Sequence, residues 1–366
     1  MKTIAAVLYQ PHTPFILETL DLEPPKTGEV LIKMAAAGVC HSDWHLVTGA
    51  TNHALPVVAG HEGAGIVEAV GPGVTGVKPG DHVALNWAPN CGACFYCLND
   101  RPSLCDTFVG PIWAGTMMDG ATRLSKDGQP IYHFSATACF AERTVVPQEC
   151  CVPLSKDIPL AIAAVVGCAV TTGVGAVLNT AKIKPGSSVA VFGAGGVGLS
   201  VIMGAKLAGA SKIIAIDRHE AKCDLAVEFG ATDALLSEPN VVESIRNLTG
   251  GRGADVVFEA IGIPAVQEQA FEAMRPGGLL VLVGLSPMGT GTNFPGAIIG
   301  RQEKTITGSY YGSANTARDF PLYIDLYRTG QLKLDALISK TYPLDQINEA
   351  YADMLAGEMA RGVIMF

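Results

Sequence analysis

The chain has 366 residues, more than one hydrophobic core usually supports, so two domains are expected. Its net charge is −9 with no long basic run, which excludes nucleic acid and anionic membranes as main partners. Hydrophobic residues at 49% against 16% charged exclude a disordered chain.

The opening MKTIAAVLYQPHTPF turns polar too soon for a secretory signal, so a reducing, cytoplasmic setting is expected. Over roughly the first 150 residues, runs such as EVLIKMAAAGVC, GAGIVEAV and DHVALNW alternate with Pro-Gly turns and predict a β-rich, partly closed barrel. IPLAIAAVVGCAVTTGVGAVL, residues 158 to 178, is uncharged and long enough to span a bilayer. It is isolated, rich in Gly, Ala and Thr, and lacks an aromatic belt, so it reads as a buried helix. Strands and helices then alternate. SSVAVFG, SKIIAID, ADVVFEAIG and LLVLVGL are strands; SVIMGAKLAGA, RHEAKCDLAVEFG, VVESIRNLTG and AVQEQAFEAMRPGG are helices. This rhythm predicts an α/β, doubly wound parallel sheet. From about residue 315 a helix, ARDFPLYIDLYRTG, leads to mixed structure and a short tail, and no internal repeat is evident.

Four of the ten cysteines, Cys91, Cys94, Cys97 and Cys105, fall in the spacing C-x2-C-x2-C-x7-C. In a reducing compartment four close thiolates suit tetrahedral zinc better than disulfides; free thiols and an iron–sulfur cluster are the alternatives. A site closed by four thiolates leaves no position for substrate, so this zinc would brace a lobe at about residues 88 to 110, and catalysis must lie elsewhere.

Gly193-Ala194-Gly195-Gly196-Val197-Gly198 fits G-x-G-x-x-G between a predicted strand and helix, and Asp217 ends the next strand. That context is a dinucleotide fingerprint. Gly193 permits the tight turn, Gly195 lets backbone amides approach a pyrophosphate, and Gly198 allows close helix–strand packing. Asp217 can accept from both ribose hydroxyls and would repel a 2′-phosphate, favouring NAD over NADP; Arg218 is the counter-signal.

CHSDWH at 40 to 45 and GHEGAGIVEAVGPGV at 60 to 74 complete a pattern. With the cysteine spacing, the glycine turn and GCAVTTG around Cys168, the chain resembles the zinc-dependent alcohol dehydrogenases of the medium-chain dehydrogenase/reductase superfamily, essentially over its full length. The resemblance implies a GroES-like catalytic domain at 1–169 and 313–366 and a Rossmann domain at 170–312. It implies two zinc ions per subunit and NAD. Cys40, His61 and Cys168 would hold the catalytic zinc at a cleft between the domains, with the fourth position open to substrate. Asp43 would fix the His61 tautomer from behind. Glu62 would tune the zinc or pair with Arg361, which also resembles a phosphate-binding arginine. Ser42 and His45 resemble a proton relay, His45 facing solvent. His41, Thr172 and Lys222 correspond to cofactor contacts. His41 replaces an arginine common in the family, so looser NAD binding is expected, and Ile263 is apolar where some relatives have a cofactor-binding Arg. Cys139, Cys150, Cys151 and Cys223 read as ordinary thiols.

By the same correspondence Trp87, Phe134, Leu285 and Tyr310 line the substrate pocket. A large apolar lining suits primary alcohols, aromatic or allylic ones first. The glutathione-dependent formaldehyde dehydrogenase branch needs charged groups at the pocket entrance, where this chain has Thr51. A structural or regulatory member without catalysis would be expected to have lost zinc ligands or relay groups, and none is lost. A homodimer or homotetramer is expected, pairing through an edge strand of the nucleotide domain, with LLVLVGL (279–285) and KTITGSYYG (304–312) as candidates.

Overall fold

Short strands separated by Pro and Gly turns build the first unit of the computed structural model, which describes residues 1–357 and 359–366. This unit comprises residues 1–168, 315–326 and 334–366. Five strands close a barrel in the order Lys2–Leu8, Ile16–Leu22, Leu124–Lys126, Gln129–His133 and Val57–Val58. Beside it runs a seven-stranded sheet centred on Glu29–Gly38. That strand alternates Val30, Ile32 and Met34 toward one core, shared with Val67, Val83 and Leu85 of neighbouring strands. Glu29–Gly38 pairs antiparallel with Glu62–Val70 on one side and Arg361–Met365 on the other. The tail, expected to be mixed structure, thus returns as a helix, Ile347–Ala356, and a central strand.

The second unit comprises residues 169–314 and 327–333. Its six parallel strands run in the order Asp233–Leu236, Lys212–Asp217, Ser188–Phe192, Ala254–Glu259, Met274–Leu282 and Thr305–Gly308. The strand order reverses between Ser188–Phe192 and Ala254–Glu259, the crevice where doubly wound sheets bind ligands. Both architectures expected from the sequence, β-rich and doubly wound, are present.

Two sequence expectations need correction. LLVLVGL is not an edge: Met274–Leu282 pairs on both sides, and the sheet ends at Thr305–Gly308. The helix Pro264–Ala273 stops before MRPGG, because Pro276 and the two following glycines cannot continue it, and the strand starts at Met274. The apolar segment forms a helical run, Leu160–Ala181, and 89% of its most apolar window is buried inside the protein, as a core helix rather than a membrane span would be.

Candidate active site and metal centres

Cys40 ends the extended segment after Glu29–Gly38 and opens the helix His41–Val47, with φ −128° and ψ 148°. Asp43 in the first turn of that helix does not cap it. Its side chain points inward, fully buried, and Oδ1 accepts from Gly60 N at 2.8 Å and lies 3.1 Å from His61 Nδ1. Gly60 is required there: its φ is +90°, and a Cβ would come within 2.7 Å of the Phe140 backbone nitrogen. The strand register sets Gly38 opposite both Glu62 and Val363, which brings Glu62 to Arg361. Cys168 lies in a widened π turn, Val166–Val170, of the long core helix; such turns re-aim side chains and recur at functional sites.

The donor atoms of Cys40, His61, Glu62 and Cys168 all lie within 4.8 Å of one another, and all four residues are buried. His61 Nε2 is buried with no hydrogen-bond partner among the described residues, while Asp43 holds Nδ1. With Asp43 accepting from Nδ1, the neutral form of the imidazole carries its lone pair on Nε2, on the side of the two thiols. Such an orphaned donor set is costly unless a cation completes it. Two thiols and one imidazole are the three protein donors that a catalytic zinc takes. Cys40 is held well below the ordinary thiol range, foremost by a hydrogen bond from Cys168 against the opposing effect of burial, with Arg361 and His61 adding to it. Glu62 is committed to Arg361: the carboxylate accepts from Arg361 Nε at 3.2 Å and, in a second, shorter contact, from Nη2. Burial works against the Arg361 charge, but Glu62 and the two cysteines outweigh it and hold the guanidinium protonated. Of the two roles raised for Glu62, the geometry brings out the ion pair.

Ser42 and His45 stand three residues apart on the His41–Val47 helix, hence on one face. His45 is half-buried rather than facing open solvent. Burial pushes its pKa down, outweighing Cys40 and Asp43, so the ring is neutral at pH 7 and can accept a proton. The rings of Trp87 and Phe134 stand edge-on to His61, with centroids 6.0 and 5.6 Å away. Leu285, 54% exposed, and half-buried Tyr310 belong to the second unit.

The four clustered cysteines converge as well. Cys94 Sγ lies 3.5 Å from Cys97 Sγ and 3.8 Å from Cys105 Sγ. Four sulfurs bound tetrahedrally at the usual zinc distance would be about 3.8 Å apart. Backbone N–H groups of Ala93 and Cys94 donate to Cys91 Sγ, as does the Thr107 hydroxyl at 3.2 Å. The Thr107 hydroxyl first, then these amides, bring the Cys91 thiol down to about 6. The site thus fits zinc and lies apart from Cys40 and His61 in sequence and cluster. Cys97→Ser is expected to lower bound zinc from two to one per chain and to lower Tm by roughly 5–10 °C. Metal analysis and thermal unfolding would check both. Cys139, Cys150, Cys151 and Cys223 are buried free thiols.

In the second unit the glycine turn is formed as expected. Gly193 has φ +96°, a Cβ at Gly198 would collide with the Gly193 carbonyl, and a Cβ at Gly195 would meet nothing within 4 Å. Gly195 is thus the open side of the turn, with the helix Gly196–Leu207 beginning there, a cradle that suits a pyrophosphate. Asp217 is buried at its strand's end; Oδ2 accepts from Ala194 N at 2.8 Å and Oδ1 from His219 N at 3.1 Å. Arg218 donates from Nε to His219 at 2.9 Å. Lys222 and Thr172 are half-buried and His41 is exposed.

Comparison with known proteins agrees with these two halves. Residues 26–156 match the alcohol dehydrogenase GroES-like domain and residues 196–329 the zinc-binding dehydrogenase domain. The NDMA-dependent alcohol dehydrogenase of Amycolatopsis methanolica is 40% identical over 368 residues, covering 100% of this chain and 99% of that protein. The chain belongs to the zinc-dependent alcohol dehydrogenases of the medium-chain dehydrogenase/reductase superfamily. Within that family the S-(hydroxymethyl)glutathione dehydrogenase of Paracoccus denitrificans is 38% identical, with both chains fully covered. The crystal structure of benzyl alcohol dehydrogenase from Acinetobacter calcoaceticus superposes with a TM-score of 0.94 at 34% identity, covering 100% of this chain and 99% of that one.

Two features of the site were not anticipated. Phe134 also packs edge-on to His53, with centroids 5.6 Å apart. Tyr351 lies buried behind Asp43, on a helix that the spacing of Ile347, Ala350, Tyr351 and Met354 before Gly357 would have revealed.

Proposed function

We propose that this alcohol dehydrogenase oxidises primary alcohols, aromatic or allylic ones in preference, to aldehydes, with NAD as hydride acceptor. The observation that carries the reading is the buried donor set of Cys40, Cys168 and unpartnered His61 Nε2, walled by two aromatic rings. Cys40, His61 and Cys168 would hold one zinc, and Cys91, Cys94, Cys97 and Cys105 the other. The second unit would hold NAD on Gly193–Gly198, with Asp217 at the adenosine ribose and Lys222 beside it. Thr172, His41 and Arg361 would serve the rest of the cofactor.

When bound, zinc would supply a Lewis acid that acidifies the substrate hydroxyl, and NAD a hydride acceptor. The chain's own part is proton movement and alignment. Ser42 Oγ receives the hydroxyl proton, and neutral His45 passes it toward solvent. Asp43 keeps the proton of His61 on Nδ1, so Nε2 stays a ligand. Trp87 and Phe134 exclude water and hold a flat substrate edge-on. The slim apolar wall favours primary over bulky secondary alcohols. Ser42→Ala is expected to lower kcat by roughly 100-fold with zinc content unchanged, a value typical of a lost proton-transfer group. The subunits are expected to pair through the free edge at Thr305–Gly308.

The test is steady-state oxidation of benzyl alcohol, cinnamyl alcohol, ethanol, 2-propanol and S-hydroxymethylglutathione, each with NAD, NADP and NAD plus NDMA. A kcat/KM preference for the aromatic and allylic alcohols with NAD is expected. Dominant S-hydroxymethylglutathione turnover would move the chain to the formaldehyde branch, a preference for 2-propanol would overturn the pocket, and turnover only with NDMA would overturn NAD as the final acceptor.

A further inference from the structure

Asp43 uses only half of its carboxylate on the metal centre. Oδ1 serves Gly60 N and His61 Nδ1, whereas Oδ2 is buried with no partner among the described residues. Tyr351 Oη is likewise buried, with no partner within hydrogen-bond distance among the described residues. One group is a hydrogen-bond donor and the other an acceptor. Both are fully enclosed, and they belong to neighbouring packed elements. Trp44, next to Asp43 in the chain, stacks on the Tyr351 ring with centroids 5.6 Å apart and planes 26° apart. Phe15 stacks on Tyr351 at 5.4 Å, and Phe140 meets it edge-on at 6.3 Å. The ring therefore has little freedom to turn its hydroxyl elsewhere. Burial holds the phenol well above its ordinary pKa, and of the charged groups around it Asp43 acts most strongly, followed by Cys40 and Glu62. The hydroxyl thus keeps its proton and remains a donor. A cavity of about 420 Å³, large enough to hold water, is bordered by Phe15, Trp44, Thr48 and Tyr351.

We propose that Tyr351 is a positioning residue for the metal centre: its hydroxyl donates to Asp43 Oδ2, directly or across one buried water, and Asp43 in turn orients His61. A chain of phenol, carboxylate and imidazole then reaches the metal, each link fixing the next. The proposal rests on His61 being a zinc ligand.

Tyr351→Phe removes one oxygen and keeps the ring stack, so it isolates the link. Zinc transfer from the purified holoenzyme to a colorimetric chelator should show two phases, with the four-cysteine site as internal reference. Loss from the Cys40–His61–Cys168 site is expected to quicken about tenfold in Tyr351→Phe, with the other phase unchanged and Tm lowered. Unchanged zinc loss with unchanged or raised Tm would overturn the proposal, because deleting an idle buried hydroxyl should not destabilise. A crystal structure of the zinc-loaded protein offers a second measurement. Tyr351 Oη and Asp43 Oδ2 are expected within about 3.2 Å of each other or sharing one water, and neither arrangement would also overturn it. If the wild-type protein holds zinc only at the four cysteines, the metal reading itself fails and takes the proposal with it. Two zinc ions per wild-type chain with a silent Tyr351→Phe would leave the metal reading standing and remove only the role of Tyr351.

Discussion

His61→Ala is expected to leave one zinc per chain instead of two and to lower kcat/KM for benzyl alcohol by at least about 1,000-fold. The size follows from losing Lewis-acid stabilisation worth several kcal/mol, where about 1.4 kcal/mol is one factor of ten. The substitution removes a buried ring nitrogen, Nε2, that has no hydrogen-bond partner among the described residues. It also strips Asp43 of His61 Nδ1, leaving Gly60 N as the only partner of that buried carboxylate in the hydrogen bonds described above. Some loss of Tm is therefore expected along with the metal. Cofactor binding gives the control. The glycine turn and Asp217 belong to the second unit, with its own core around Ala190, Ile214, Val257 and Leu280. NAD affinity should fall by less than about threefold, well under the tenfold that 1.4 kcal/mol represents. Loss of NAD binding as well would point to misfolding of the whole chain. Retention of two zinc ions with near-normal turnover would mean that His61 is not a ligand.

The parts of this site that were legible in the sequence are those whose chemistry is local. The cysteines at 91, 94, 97 and 105 reach one another within a single loop, so spacing alone implied a cluster, and their sulfurs do converge. The turn at Gly193–Gly198 is local too: positive φ at Gly193 and the absent Cβ at Gly198 are needs that the glycines themselves announce. Cys40, His61 and Cys168 are different. Nothing local joins them. They meet because Glu29–Gly38 and Glu62–Val70 pair in one register and a helix lies across them, so only resemblance to a family could nominate the set. The ion pair of Glu62 with Arg361, 299 residues apart, depends on the same register. The short helix His41–Val47 was not foreseen, because seven residues show barely two turns of periodicity. Its burial made His45 less exposed than the sequence implied. The edge assigned to LLVLVGL failed for a related reason. An apolar strand looks the same from its sequence whether it is flanked on one side or two, and Thr305–Gly308 took the outer place.

Asp217→Asn should invert the cofactor economy of the second unit without touching the metal centre. In the wild-type chain each carboxylate oxygen already accepts one backbone N–H, Ala194 N on Oδ2 and His219 N on Oδ1. Each oxygen keeps a further lone pair, which suits the two hydroxyls of an adenosine ribose. Arg218, the nearby cation suited to a 2′-phosphate, donates instead to His219. Asparagine keeps one acceptor oxygen and the side-chain volume, but it loses the charge and presents an NH2 group to one of the two backbone donors. Losing one charge-assisted hydrogen bond costs about 1.5–3 kcal/mol, so kcat/KM with NAD should fall roughly 10- to 100-fold. With NADP the sign reverses. A carboxylate within about 4 Å of a phosphate is repelled by several kcal/mol at an effective dielectric near 20, and the amide removes that repulsion. The ratio of NAD to NADP preference should therefore drop by at least about 100-fold, while kcat at saturating NAD changes little because the zinc residues are untouched. Parallel kcat/KM measurements with both cofactors, on wild type and variant, decide the matter. A fall with both cofactors in equal proportion would mean that Asp217 acts only by bracing Ala194 and His219 in the turn, and the preference for NAD would then have to be sought elsewhere in the nucleotide site.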